Sequence, residues 1–345
     1  MSWNLDATSQ NTSSASNNSA NEAAAQLTGT VVRKSQGIYS VRTAEGTLAC
    51  ELSSRLRKTL IYPSAAPTSL RHRVKEVKGI GEVDPVAVGD QVSFHSAGPQ
   101  RGLITAVLPR LNALSRPAAG NRRLEHVIVA NVGQVVAVFA AAQPAPKWEL
   151  LDRYLVAAEA ADVPTLIAIT KLDALPEGDA PALHAEMDNY RKLGYRVTLT
   201  STVTGEGLAD FCAALRDKVS VFVGKSGVGK TSLLNAVEPG LGLRVKAVSA
   251  LTEKGRHSTT HLEMFDLAGG GQMIDTPGMR EFGLWALSGP DLAHGFVEMR
   301  PYIGQCKFGL DCTHLHEPGC AVRAALAAGR ICQRRYDSYR RLQAD

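Results

Sequence analysis

Gly224-Lys225-Ser226-Gly227-Val228-Gly229-Lys230-Thr231 decides how this chain is read. It follows the apolar run Val219 to Val223 and opens a helical pattern, Lys230 to Ala236. A glycine-rich turn between strand and helix lets backbone N–H groups wrap a phosphate chain where the helix dipole also favours negative charge. Lys230 is placed for the β- and γ-phosphates and Thr231 for magnesium, with Ser232 among the residues lining the nucleotide. Two further motifs set the class. Asp275-Thr276-Pro277-Gly278 follows the run Gln272 to Ile274, 44 residues after Thr231. There Asp275 can hold magnesium through water while the Gly278 N–H meets a γ-phosphate. Thr170-Lys171-Leu172-Asp173 ends the run Thr165 to Ile169, and it comes before the phosphate loop rather than after it. That order is a circular permutation. Its consequence is that the γ-phosphate segment runs directly into the C-terminal part of the chain, so nucleotide state is expected to pass downstream.

The base is read at Asp173. A carboxylate at a strand end can accept both the N1–H and the N2 amino protons of guanine, a donor pair that adenine lacks, so the motif selects GTP over ATP. Ser201, within Thr200-Ser201-Thr202 after the next strand, is expected to bring a backbone contact to guanine O6. Between Thr231 and Asp275 lies Gly255-Arg256-His257-Ser258-Thr259-Thr260, a polar segment suited to a second magnesium-binding threonine, with Thr259 preferred and Thr260 as the alternative. The residue after Gly278 is Met279, whose apolar side chain cannot orient an attacking water. His257 is the in-chain candidate for that task, because a neutral imidazole accepts a proton from water; a switch-loop or partner-binding role is the competing assignment.

Around these motifs, apolar runs alternate with helical patterns from Val127 to about Phe282, the pattern of a parallel sheet covered by helices. The expected strands are Val135 to Ala140, Thr165 to Ile169, Arg196 to Leu199, Val219 to Val223 and Gln272 to Ile274; the expected helices are Trp148 to Ala161, Leu208 to Arg216 and Lys230 to Ala236. Upstream, short alternating runs with glycine between them (Thr30-Val31-Val32, Ile38 to Val41, Val86 to Phe94, Leu103 to Leu108) predict a small OB-like β-barrel. The stretch Arg55 to Lys78 carries seven Lys/Arg against the single acid Glu76, and it reads as a long basic loop on that barrel, suited to a polyanion. Met1 to Gln26 is a polar Asn/Ser/Ala tail that cannot build a core. The division that follows is a tail at 1–26, a barrel at 27–112, an α/β P-loop domain at 113–284 and a C-terminal domain at 285–345.

That last domain carries a second signal, Cys306-x5-Cys312-x-His314-x5-Cys320. Three thiolates and one imidazole complete a tetrahedral structural zinc site with no open position; His316 is a possible substitute for His314. The 345 residues are 44% hydrophobic, with net charge +5 and six cysteines. No stretch approaches the ~20 apolar residues of a membrane span, and the tail lacks the basic start and apolar run of a signal peptide. Cysteines grouped for metal fit a reducing compartment, so a cytoplasmic protein without a membrane partner is expected, and nothing demands more than a monomer.

The barrel, permuted P-loop domain and Cys3His segment, in that sequence, resemble the bacterial ribosome small subunit-dependent GTPase A family (RsgA, also called YjeQ or EngC). The resemblance covers roughly Thr28 to Asp345. It includes Arg110 with Arg116, Ala130-Asn131-Val132, Leu151 to Leu155, Gly224 to Asn235, Gly255 to Thr260, Asp275 to Gly278, the zinc ligands and Arg335-Tyr336. It implies a late assembly factor that binds the small ribosomal subunit and its rRNA, uses GTP with Mg2+, and turns GTP over to GDP faster on the subunit. It also implies a catalytic role for the histidine matching His257. This chain departs from the family pattern at Gly133, where an Asp is usual, at Thr170 in place of Asn, at Ser258 in place of Thr, and in the length of the loop from Arg55 to Gly79. The competing functional class is a nucleotide-gated RNA-binding module with negligible turnover, which Met279 favours. A P-loop ATPase acting on free nucleic acid is opposed by Asp173.

Overall fold

Alternation of apolar and polar residues builds the first unit. The computed structural model describes residues 26–35, 37–57, 85–118, 121–241, 262–275 and 290–344. Five strands, β1 (Leu27–Ser35), β2 (Ile38–Thr43), β3 (Gly46–Leu52), β4 (Gln91–Ser96) and β5 (Arg101–Val107), pair in the order β1-β2-β3-β5-β4 and close through β4 onto β1. Closure leaves one face inward, filled by Val31, Tyr39, Val41, Cys50, Leu52, Val92, Phe94 and Ile104. A register shift between Val31 and Arg33 turns successive residues to different sides, so Val31 enters the barrel core and Val32 the neighbouring core. The expected run Val86 to Phe94 is broken here. Gly89 adopts φ +92°, and a side chain there would lie 2.0 Å from the Ala130 carbonyl oxygen, so the chain turns and the strand begins only at Gln91. Of the basic stretch, Ser54–Arg57 forms a helical turn, α1; residues 58–84 lie outside the described residues.

The turn at Gly89 is one half of a polar joint. Asn131 donates its amide to the Gly89 carbonyl and accepts from the Leu111 N–H, both at 2.9 Å. Buried Asp90 takes the Arg110 guanidinium through two bonds, at 2.7 and 2.9 Å. At the start of the segment expected to be the P-loop domain, β6 (Ala113–Ala118) and β7 (Asn121–Ala130) pair as a two-stranded antiparallel sheet.

Beyond the joint a second set of strands runs β10-β9-β8-β11-β13-β12. These are β8 (Gln134–Ala140), β9 (Thr165–Thr170), β10 (Arg196–Leu199), β11 (Val219–Val223), β12 (Leu262–Asp266) and β13 (Gln272–Asp275). All are parallel except β12, which is antiparallel to β13. Every residue of β8 and β9 is buried, as helices on both faces require. Helix α2 (Trp148–Ala160), through Leu151, Tyr154, Leu155 and Ala158, and α3 (Ala180–Lys192), through Leu183, Met187 and Tyr190, cover one face. The other face packs on α4 (Leu208–Leu215) and α5 (Lys230–Val237) through Phe211, Leu215, Leu233 and Leu234. The two sheets are one: β12 also pairs with β1, matching Arg33 to Glu263 and Lys34 to Leu262.

The C-terminal domain comprises α6 (Pro290–His294), α7 (Ala321–Ala327) and α8 (Gln333–Ala344) around Phe296, Met299, Val322, Ile331 and Tyr339. It docks on α2, where Val156 joins its core. Asp152, with no exposed surface, receives Arg335 Nη1, Arg334 Nη1 and the Tyr190 hydroxyl, each at 2.7 Å. Arg335 also bonds Glu298 twice and stacks on Phe296 with its guanidinium 4.7 Å from the ring centroid. Removing one partner of such a cluster strands a buried charge, which costs far more than the pair contributes. Asp152→Ala is therefore expected to lower the unfolding free energy by about 3–5 kcal/mol. Denaturant unfolding measures this, and a loss below about 1 kcal/mol would place the docking energy elsewhere.

Candidate functional site

The phosphate loop leaves β11 at Val223 and enters α5 at Lys230. Gly224 sits at φ +148°, where a side chain would come within 2.3 Å of the Val138 carbonyl oxygen on β8. Only glycine lets the loop cross that strand. Gly227 and Gly229 take φ +83° and +89°, turning the arch back onto the helix. Val228 anchors the arch in the core, while Lys225, Ser226, Thr231 and Ser232 remain exposed for ligand. The Lys230 ammonium lies across the arch, donating to the carbonyl oxygens of Gly224 at 2.6 Å and Lys225 at 2.7 Å.

The base-reading motif is bonded to that loop. Thr170, buried at the end of β9, donates its hydroxyl to the Val228 carbonyl. Lys171, held at φ +59°, donates its ammonium to the carbonyls of Gly227 at 2.7 Å and Gln143 at 2.5 Å. Threonine in the place of the usual asparagine thus still ties the two motifs together. Asp173 is exposed, and one of its oxygens accepts the Ser201 hydroxyl at 2.5 Å. Ser201 is itself fixed by the N–H groups of Val203 and Thr204. Ser201 therefore orients the carboxylate, a role that the expected backbone contact did not include; a hydroxyl next to a strand end was the only signal for it. Gly133, the other departure, is 3.0 Å from the Val219 amide nitrogen measured from an ideal side-chain carbon, a spacing that forces the neighbour to yield for any larger residue. Asp275 closes β13. His257, Thr259, Thr260 and Gly278 lie outside the described residues.

The second cluster is a candidate metal centre. The ligand atoms of Cys306, Cys312, His314 and Cys320 all lie within 4.8 Å of one another and all four residues are buried. Cys306 Sγ and Cys320 Sγ are each 3.5 Å from His314 Nδ1 and 3.9 Å from each other. A tetrahedral zinc with ~2.3 Å bonds to sulfur and ~2.0 Å to nitrogen needs ligand separations of roughly 3.5–3.8 Å, so the donor set fits. His316 is exposed and is not among the clustered donors. Burial, with Cys306 and Cys320 alongside, pushes the Cys312 thiol up to about 12. Burial also holds His314 low, in the neutral form that a metal requires. A cation bound there would have to displace the thiol protons. The loop around it is fixed by α8, whose Tyr336 and Tyr339 hydroxyls donate to the His314 and Thr313 carbonyls at 2.6 Å. Glu317 accepts from the N–H groups of Thr313, Leu315 and His316. Burial opposes its charge, but these bonds and the Thr313 hydroxyl hold the Glu317 carboxyl down at about 2.

A phosphate loop bonded to a second motif that carries an exposed carboxylate, at the carboxyl ends of a sheet whose halves are exchanged in sequence, is the arrangement of a circularly permuted P-loop GTPase. Comparison with known proteins gives the particular kind. A family model described as RsgA GTPase matches residues 107–285. The chain is 44% identical over 260 residues, 75% of each chain, to the small ribosomal subunit biogenesis GTPase RsgA of Chromohalobacter salexigens. It is 45% identical over 259 residues, 75% of this chain and 74% of the other, to the protein of that name from Ectopseudomonas mendocina. YjeQ from Thermotoga maritima matches with a TM-score of 0.71 at 30% identity, over 93% of this chain and 98% of that one. YloQ, described as a circularly permuted GTPase, matches at 0.68 and 31%, over 94% and 96%. This chain belongs to the RsgA GTPase family.

Metal removal tests the second cluster. Chelation is expected to release one zinc per chain and to expose residues 300–344 to protease while leaving nucleotide binding in place. Purified protein free of zinc, with that segment still protected, would show that packing alone folds it.

Proposed function

We propose that this protein is a cytoplasmic GTPase, monomeric, that binds the small ribosomal subunit through its rRNA and assists the subunit's late maturation. GTP hydrolysis is stimulated on the subunit and coupled to release in the GDP state. The observation that carries the guanine half of this reading is Asp173 held by Ser201 beside a phosphate loop bonded to Thr170 and Lys171. The subunit half is supported by the name of the relatives at 44% identity, small ribosomal subunit biogenesis GTPase.

Each part then has a task. Gly224 to Gly229 and Lys230 cradle the phosphates; Thr231, Thr259 and Asp275 would hold Mg2+, which neutralises charge on the β- and γ-phosphates. Gly278 donates to the γ-phosphate, and His257 takes the place that Met279 cannot fill, positioning water. Zinc on Cys306, Cys312, His314 and Cys320 is structural. Among the described residues no helix is long and apolar enough to cross a membrane.

Steady-state GTP hydrolysis alone, with small subunits and with large subunits is the test. Only small subunits are expected to stimulate. His257→Ala is expected to lower stimulated turnover by about 10²-fold or more with GTP affinity unchanged. Full turnover in that variant would remove His257 from the chemistry. Absence of stimulation by either subunit would favour the nucleotide-gated binding module, the reading to which Met279 points.

A further inference from the structure

The barrel meets the GTPase unit at two places of unlike character. One is the joint already described, in which buried Gly89 and Asp90 are bonded by half-buried Asn131 and Arg110 just before the start of β8. The other lies on β12. That strand is placed between the polar segment carrying Thr259 and the strand ending in Asp275, so it connects the two stretches of sequence assigned to the γ-phosphate and its magnesium. In register, Glu263 stands between Arg33 of the barrel and Asp275 of β13. A single strand, roughly 4.8 Å per step, therefore separates the barrel from the γ-phosphate motif on either side of β12.

Among the described residues two residue pairs join β12 to β1, with Val32 and Met264 packed in one core beneath them. A cleft of about 460 Å³ opens beside the contact, lined by Val32, Arg33, Arg42, Glu263 and Phe265 among others. Across it Asp266 Oδ1 accepts from Arg42 Nη1 at 2.7 Å and from Gln272 Nε2 at 2.9 Å. One carboxylate thereby links barrel strand β2, β12 and β13. Its side chain is 64% exposed and that of Arg42 31%, so the pair adds little to overall stability. What it does fix is the position of one strand relative to another.

We propose that Asp266 and Arg42 couple the barrel to β12 and so transmit partner stimulation, without positioning any group for the basal reaction: the paired joint acts as a pivot, and the Arg42–Asp266–Gln272 contact makes the barrel a handle on β12. A partner gripping the barrel thereby shifts β13 and the Asp275 that ends it, and nucleotide state shifts the barrel by the same coupling, since linkage is reciprocal. The proposal rests on the reading of the protein as a GTPase.

Hydrogen exchange with GDP and with a non-hydrolysed GTP analogue, on the full chain without ribosomes, tests the coupling. Protection over residues 38–43 and 262–266 is expected to differ between the two nucleotides in the wild type, and the difference is expected to vanish in Asp266→Ala. With saturating small subunits, Asp266→Ala and Arg42→Ala are expected to lower stimulated turnover about fivefold, with basal turnover and thermal midpoint unchanged. The swapped pair Arg42→Asp with Asp266→Arg is expected to restore most of it. Equal protection in both nucleotides, or full stimulation in both single variants, would overturn the proposal. Wild-type protein that no subunit stimulates would contradict the assembly reading instead, and the exchange comparison would still decide the coupling.

Discussion

The functional centre depends on the bonds by which the base-reading motif grips the phosphate loop. Thr170 ends β9 and Lys171 follows it, the phosphate loop follows β11, and β8 lies between the two strands in the sheet. Neither motif can set its distance from the other through its own strand. The Thr170 hydroxyl on Val228 and the Lys171 ammonium on Gly227 set it directly. A site whose two halves are fixed before ligand arrives avoids part of the ordering cost of binding. The left-handed backbone at Lys171 is the kind of local strain such sites retain.

Permutation changes what is attached to this centre. The base-reading half comes first, so the barrel enters at β8 through the Gly89–Asn131 joint and also extends the sheet at β12. The C-terminal domain follows the γ-phosphate motif in sequence, and the residues that join them, 276–289, lie outside the described residues. Its described contacts fall on α2 and α3, through Asp152, Val156 and Tyr190, on the face of the domain carried by the base-reading half. Among the described residues, the strand next to the γ-phosphate motif touches the barrel.

How much of this was legible in the sequence follows from how each residue is used. Strands β8, β9, β10, β11 and β13 were readable to within a residue because both of their faces are buried or bounded by turns, and the phosphate loop because its glycines occupy positions no other residue can take. Strands β3 and β12 were missed because Thr47, Glu51, Glu263 and Asp266 make their patterns polar. Helix α3 was missed because only Leu183, Met187 and Tyr190 of its thirteen residues are buried. Contacts between distant positions left no local mark: Ser201 with Asp173 lies 28 residues apart, and Arg335 with Asp152 lies 183 apart. The choice of His314 over His316 likewise depended on which imidazole the turn at Glu317 carries inward.

The most direct test of the central claim is calorimetric titration of the metal-loaded protein with GTP, GDP and ATP under identical magnesium and salt. Asp173, held by Ser201 and rigidly joined to the phosphate loop, predicts tight binding of both guanine nucleotides, with ATP weaker by about 10³-fold or more. Comparable affinity for ATP would contradict the account, because it would mean that the carboxylate at Asp173 does not read the base.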